Sequence, residues 1–237
     1  MRNKEKIIVL VAALMLAALS TPADVISVNF FRTGNINRDG VAADFSGVVP
    51  GTWTNIVIAT NGFAITDLGG TGLDISSSAG VTVAGNTNWA NWVNCAGFGH
   101  NTAGSQVTMT LSDIPYDQYY IIVYLCGWND RRGSLSDGST TYYYTMPTID
   151  GSNPPYLSQV TNTDSNSIAS AVGTYVLFGS TENPLTADSL TMTVSAIQAN
   201  VGIGGFQLVQ VPEPAAVGTF VLGGVLVLLF RRLKQQG

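Results

Sequence analysis

Val107, Met109 and Leu111 alternate with Thr108, Thr110 and Ser112, and Leu190, Met192 and Val194 alternate with Thr191, Thr193 and Ser195. A period of two with threonine at the polar positions predicts half-buried antiparallel strands, one face on a core and one in water. Shorter β-branched and aromatic runs predict further strands over Val25–Phe31, Phe63–Leu68, Gly80–Ala84, Gln118–Cys126, Thr140–Thr145, Tyr175–Phe178 and Gly205–Val209. Ile121, Ile122 and Val123 are apolar without interruption, which predicts a strand covered on both faces and central in its sheet. Turn formers separate these segments, as at Asp67, Gly69 and Gly70 or at Ser136, Asp137 and Gly138. After Ala23 no segment carries an amphipathic helical stripe of useful length. Many short strands with polar turns predict an all-β body, a single β-sandwich of jelly-roll-like type over residues 24–210.

The pattern changes at both ends. Arg2, Lys4 and Lys6 precede an apolar stretch from Ile7 to Leu19, and Thr21, Pro22 and Ala23 supply small residues for a cut. Residues 1–23 therefore read as a signal peptide, removed by signal peptidase after Ala23. At the other end, the uncharged apolar run from Ala215 to Phe230 is followed by Arg231, Arg232 and Lys234. Clustered basic residues stay on the cytoplasmic side of a membrane, so a transmembrane helix over 215–230 would leave the body outside. Sixteen helical residues span about 24 Å against a hydrocarbon core of about 30 Å. So short a span, weakened by Gly218, Gly223 and Gly224, suits a transient signal better than a lasting anchor.

Pro212, Glu213 and Pro214 stand just before that run, and Arg231 and Arg232 close it. Three parts in this order, over residues 211–237 with Val211 at the start, resemble the PEP-CTERM sorting signal of Gram-negative bacteria. The resemblance implies an exosortase as partner, an integral-membrane cysteine transpeptidase that cuts near the motif. It also implies a precursor anchored in the inner membrane, then a protein of the cell surface or extracellular matrix, in the company of exported polysaccharide. The alternative for the tail is an ordinary C-terminal anchor behind a stiff Pro-containing linker.

Charge narrows the partners. Between Asp24 and Pro214, Arg32, Arg38, Arg131 and Arg132 face fourteen carboxylates with no lysine, a charge of -10. Phosphate binding needs Lys and Arg, so nucleic acid is excluded as a partner. Cys95 and Cys126, in a chain bound for an oxidising compartment, are expected to form a disulfide; two buried thiols are the alternative. With one histidine and two cysteines there is no zinc spacing.

Candidate chemistry is sparse. His100, between Gly99 and Asn101, reads as a loop residue, and no Gly-x-Ser-x-Gly elbow accompanies it. Asp113 and Asp117 flank Ile114, Pro115 and Tyr116 in a strand-to-strand turn, which accounts for both carboxylates. Asn35, Asn37 and Asp39 before Gly40 match the start of a calcium loop, but Ser46 stands where the bidentate Glu belongs. A polar turn explains the same residues. In the acidic loop from Asn129 to Gly138, Arg131 and Arg132 are expected to pair with the loop's own carboxylates. Neither a catalytic residue nor a cofactor is expected, and the chain does not read as an enzyme.

Aromatic residues supply the binding candidates. Trp89 and Trp92 lie three apart among Asn88, Asn91 and Asn94, and Tyr142 and Tyr144 would share one face of a strand. Flat rings beside amides suit sugar stacking; the same residues would equally cap a core and stiffen a strand. The body is also similar in style to small secreted sandwich modules that precede this sorting signal in environmental bacteria. The residues behind that likeness are Val28, Asn29 and Phe30, then Trp53, Thr54 and Asn55, then Gly204 through Val209. The likeness implies architecture and export without a mechanism. The expected function is a structural or adhesive component of the envelope or matrix. A lectin-like carbohydrate-binding module is the alternative, and a glycosidase or polysaccharide lyase a more distant one.

Overall fold

The computed structural model describes residues 23–31, 49, 52–57, 62–84, 96–148 and 157–212. Residues Asp24–Val211 form one compact unit; of a second, Met1–Ala23 with Pro212–Gly237, only Ala23 and Pro212 are described. Among the described residues the unit is all-β and sandwich-like, its helix limited to 3-10 turns at Leu68–Gly70 and Ser165–Ser170. The strands, in chain order, are β1 (Val25–Phe31), β2 (Trp53–Val57), β3 (Ala64–Ile65), β4 (Asp74–Ser77), β5 (Val81–Ala84), β6 (Ala96–His100) and β7 (Gln106–Ser112). After them come β8 (Tyr119–Gly127), β9 (Arg132–Ser136), β10 (Thr141–Thr145), β11 (Gln159–Val160), β12 (Tyr175–Phe178), β13 (Leu190–Ala196) and β14 (Val201–Gln210).

An eight-stranded sheet runs β11-β12-β8-β14-β1-β2, with β6 and then β5 joined along part of β14; a six-stranded sheet runs β10-β9-β13-β7-β4-β3. The chain changes sheet repeatedly, so β7 and β8 are consecutive in sequence yet belong to opposite layers. The two alternating segments are half-buried strands, as predicted, and they prove to be partners of each other. β7 and β13 pair antiparallel with Met109 opposite Met192 and Thr110 opposite Thr191. The apolar rows of both are buried, and on the wet face the hydroxyls of Thr110 and Thr191 lie 2.9 Å apart. Directly opposed pairs of this kind fix register, because a slip of one residue would turn both apolar rows outward. β8 lies between β12 and β14, the central position expected for Ile121, Ile122 and Val123.

β14 holds the larger sheet together. β8 lines one of its sides throughout; on the other, Val201–Ile203 pairs with β6 and Gly205–Val209 with β1. The register shifts between Ile203 and Gly205, where one partner strand gives way to the next. Two glycines permit this close approach. A Cβ on Gly202 would lie 2.6 Å from the carbonyl oxygen of Phe98, and one on Gly205 would strike that of Val28. Between the sheets, Phe30 packs against Phe63, Phe98 and Phe206 with ring centroids 5.8, 6.5 and 6.2 Å away.

β1 and β2 pair in parallel, as do β11 and β12, a feature on which the sequence pattern is silent. Several expectations need correction. The strand expected over Phe63–Leu68 is only Ala64–Ile65, since Asp67 takes a left-handed φ of 50° and starts a 3-10 turn. The loop expected around His100 and the one expected from Asn129 to Gly138 contain β6 and β9. β9 was hidden because its buried residues include Gly133 and Ser134. Gly133 lies under the Tyr144 hydroxyl, which a Cβ there would approach to 2.7 Å. In that segment, Asp130 accepts from Thr148 and Asp137 from the backbone of Ser139 and Thr140. Asp137 thus acts as a turn former, and Asp130 ties the turn after β8 to Thr148. Among the described residues no helix is long and apolar enough to cross a membrane; 215–230 lies outside them.

Candidate functional site

Of the sequence-derived candidates, Trp89, Trp92, Cys95, Asn35, Asn37, Asp39, Glu213, Pro214, Arg231 and Arg232 lie outside the described residues. Cys126 is buried on β8. Among the described residues, no group of three or more His, Cys, Asp or Glu is placed to hold a metal ion. Val211 follows β14 directly, its N–H donating to Gln118, and Pro212 comes next.

Tyr142 and Tyr144 do share a face, but it is the core face. Tyr144 is 0% exposed, and the Tyr142 ring packs 5.3 Å from that of Phe178. Burial, then the neighbouring Cys126, hold the Tyr144 phenol well above its ordinary range. Tyr144 offers a sugar no free face, which corrects its place in the expected glycan site, whereas Tyr142 is half-buried. His100 Nδ1 accepts the N–H of Thr102, which makes it a turn-stabilising residue at the end of β6. Asp113 holds the left-handed turn conformation, φ 52°, in agreement with its reading as a turn former. The exposed indole that sequence reasoning passed over is Trp128, 47% exposed at the β8–β9 turn and followed by Asn129 and Asp130. Its signal was an aromatic at the head of a turn.

Two further features were not foreseen. One is a polar seam on the larger sheet's face away from the main core. Gln207, 0% exposed, accepts from the Tyr124 hydroxyl at 2.5 Å and donates to Ser27 Oγ at 3.0 Å and to the Val49 carbonyl at 2.7 Å. Beside it, Asn29 donates to Asn55 Oδ1 at 2.9 Å across the parallel β1–β2 pair, where the two residues are register partners. Trp53 lies at the same face, 1% exposed, edge-on to Tyr124 at 5.8 Å. Buried amides with partners fix strand register, because any slip would strand them without hydrogen bonds. The seam is therefore architectural. It also places Asn29, Trp53, Asn55 and Gln207, all from the short motifs noted above, on one face.

The other feature is a cavity of about 580 Å³ at one end of the sandwich, lined among others by Asp24, Thr52, Thr54, Thr71, Tyr116 and Gln210. Asp24 leads into β1, Thr52 and Thr54 bracket the start of β2, and Gln210 ends β14. Thr71 follows the first 3-10 turn and Tyr116 lies in the β7–β8 turn, so residues attached to both sheets close the site. The Tyr116 side chain is 7% exposed, and its hydroxyl is buried beside the Asp24 carboxylate, which accepts from it. Burial, then the charge of Asp24 and the hydrogen bond to its carboxylate, hold this phenol well above its ordinary range, so it stays neutral. Asp24 Oδ1 accepts the N–H of Val25 at 2.9 Å. A smaller hollow of about 260 Å³ borders β11 and the second 3-10 turn, with Asn162, Ser167 and Ser170 in its wall. Among the described residues, no buried polar side-chain atom of that wall lacks a partner.

No protein-family model matches the chain, and no curated protein matches it.

Proposed function

We propose that the chain is an exported structural or adhesive protein of the envelope or extracellular matrix, delivered by an exosortase-type system. Its finer architecture on this reading is a jelly-roll-like sandwich over 24–210, a signal peptide over 1–23 and a transmembrane sorting helix over 215–230. Signal peptidase and the exosortase are its processing partners, and exported polysaccharide is its surroundings.

The observation that carries the reading is the ordered tail: Pro212, Glu213 and Pro214, an uncharged run, then Arg231 and Arg232. The position of the body's ends supports it. Gln210 donates its N–H to the Asp24 carbonyl at 2.9 Å, so the first and last strands end side by side. A body with adjacent ends hangs from a single point and comes away by cuts made there. The absence of lysine between Asp24 and Pro214, with a charge of -10, suits a protein that must leave an anionic membrane surface.

The test is fractionation of cells with an active exosortase. Changing Pro212 and Pro214 together to Ala is expected to convert released protein into an uncut form held in the membrane. Release at the wild-type level would remove the sorting motif from the account.

A further inference from the structure

We infer that the body associates with copies of itself end to end, the β8–β9 tip of one copy seated on the acidic opposite end of the next, whether or not an exosortase releases it. β8 runs from Tyr119 at one end of the sandwich to Gly127 at the other, 9 residues or about 30 Å. The two ends differ in character.

At the Gly127 end the β8–β9 turn meets the β13–β14 turn, Trp128 donating its N–H to Asn200 and Gln198 donating its N–H to Arg132. Trp128 and Ile197, 47% and 43% exposed, stand on these adjoining turns, and Val172, 47% exposed, lies beside Thr145 at their margin. Among the described residues these are the exposed large apolar side chains. Arg131 and Arg132, both half-buried, follow Trp128 closely and are the only Lys or Arg among the described residues. The carboxylate of that turn, Asp130, accepts from Thr148.

The Tyr119 end carries the opposite charge. Asp113 and Asp117 lie in the β7–β8 turn, Glu182 and Asp188 between β12 and β13, Asp67 before the first 3-10 turn and Asp24 before β1. All of them are exposed. Their segments are tied to one end by bonds from the N–H of Ile114 to Asp188, of Tyr119 to Leu185 and of Gln210 to Asp24. Asp67 joins them through Asp74, the register partner of Ser112.

This asymmetry selects a second copy as the partner. A body of charge -10 repels its like, and contact side by side would add to that repulsion. Contact end to end brings the arginines against carboxylates and covers Trp128 and Ile197. Exposed ion pairs contribute little on their own, so the indole supplies much of the attraction. Six strands about 4.8 Å apart, in two layers each about 10 Å thick, present an end of about 600 Å². Two copies would then bury about 1,200 Å², the lower limit for a specific interface, so the contact is weak. Its two surfaces are unlike and lie at opposite ends, so each added copy leaves a free end and an open filament results.

Both terminal segments join the acidic end. The full chain is therefore folded in zwitterionic detergent, cut at protease sites placed after Ala23 and after Pro212, and sedimented at concentrations up to about 1 mM. Wild type is expected to form species larger than a dimer, with association about tenfold weaker in about 0.5 M salt than in about 0.05 M. Trp128→Ser with Arg131→Glu at the tip, and Asp117→Lys with Asp188→Lys at the acidic end, are each expected to be monomeric with Tm near wild type. Mixed in equal amounts, the two variants should form a dimer and nothing larger, because one unaltered tip meets one unaltered acidic end. A wild type that stays monomeric throughout would overturn the inference, and so would a mixture that forms no dimer. Self-association of the Asp117→Lys, Asp188→Lys variant would overturn it too, since the tips would then pair with each other.

Discussion

Gly205→Ala is expected to destabilise the body by about 3 kcal/mol or more, near the upper end for overpacking by a single methyl group. The added Cβ would strike the Val28 carbonyl oxygen and lie 3.3 Å from Asn29 Cα. Both obstacles are backbone, so no side chain can rotate away to make room. β1 would have to move off β14, and β2, paired to its other side, would move with it. Urea unfolding should show the midpoint falling with little change in slope. Thr191→Ala, on the exposed face of β13, provides the comparison and should cost about 0.5–1 kcal/mol. A wild-type midpoint for Gly205→Ala would mean that β1 and β14 do not approach so closely.

Gln207→Leu should have a comparable effect by a different route. The volume is nearly kept and an apolar residue replaces a polar one, which a simple hydrophobic account would favour. However, Ser27 Oγ would lose the donor that Gln207 Nε2 supplies, and both backbone groups of Val49 would lose their contacts with the same side chain. Each buried polar group left without a partner costs about 1–3 kcal/mol. The expected loss is about 2–4 kcal/mol in the same unfolding assay. Stability at or above wild type would show that the seam is not needed for the packing of this face.

These two residues also mark how far the sequence could be read. The β7 and β13 strands were legible because Thr and large apolar residues alternate strictly, and that pattern means the same thing wherever the partner strand lies. β8 was legible from its unbroken apolar run. Gly205 and Gln207 fell inside a predicted strand, but their roles depend on β1, some 180 residues earlier in the chain. β9 was read as loop because small and polar residues, Arg132, Gly133, Ser134 and Ser136, make up most of it. Gly133 and Ser134 are buried there by Tyr144 and neighbouring strands rather than by any apolar bulk of their own.

Tyr144 fails as a binding candidate for a related reason. Tyr142 and Tyr144 were placed on one face correctly, yet periodicity cannot say which face meets the core. Tyr144 went inside because Gly133, its register partner on β9, leaves space for the hydroxyl. Conversely, nothing in Ile114, Pro115 and Tyr116 distinguishes a tyrosine that merely closes a turn from one with a buried hydroxyl at a cavity. That distinction arises only when the β7–β8 turn meets the ends of β1 and β14.

The claim on which the functional account turns is processing at both ends, and the intact mass of the protein recovered from the cell surface tests it most directly. The account predicts a species beginning at Asp24 and lacking Ala215 to Gly237. A surface protein whose mass extends through Gly237 would contradict it.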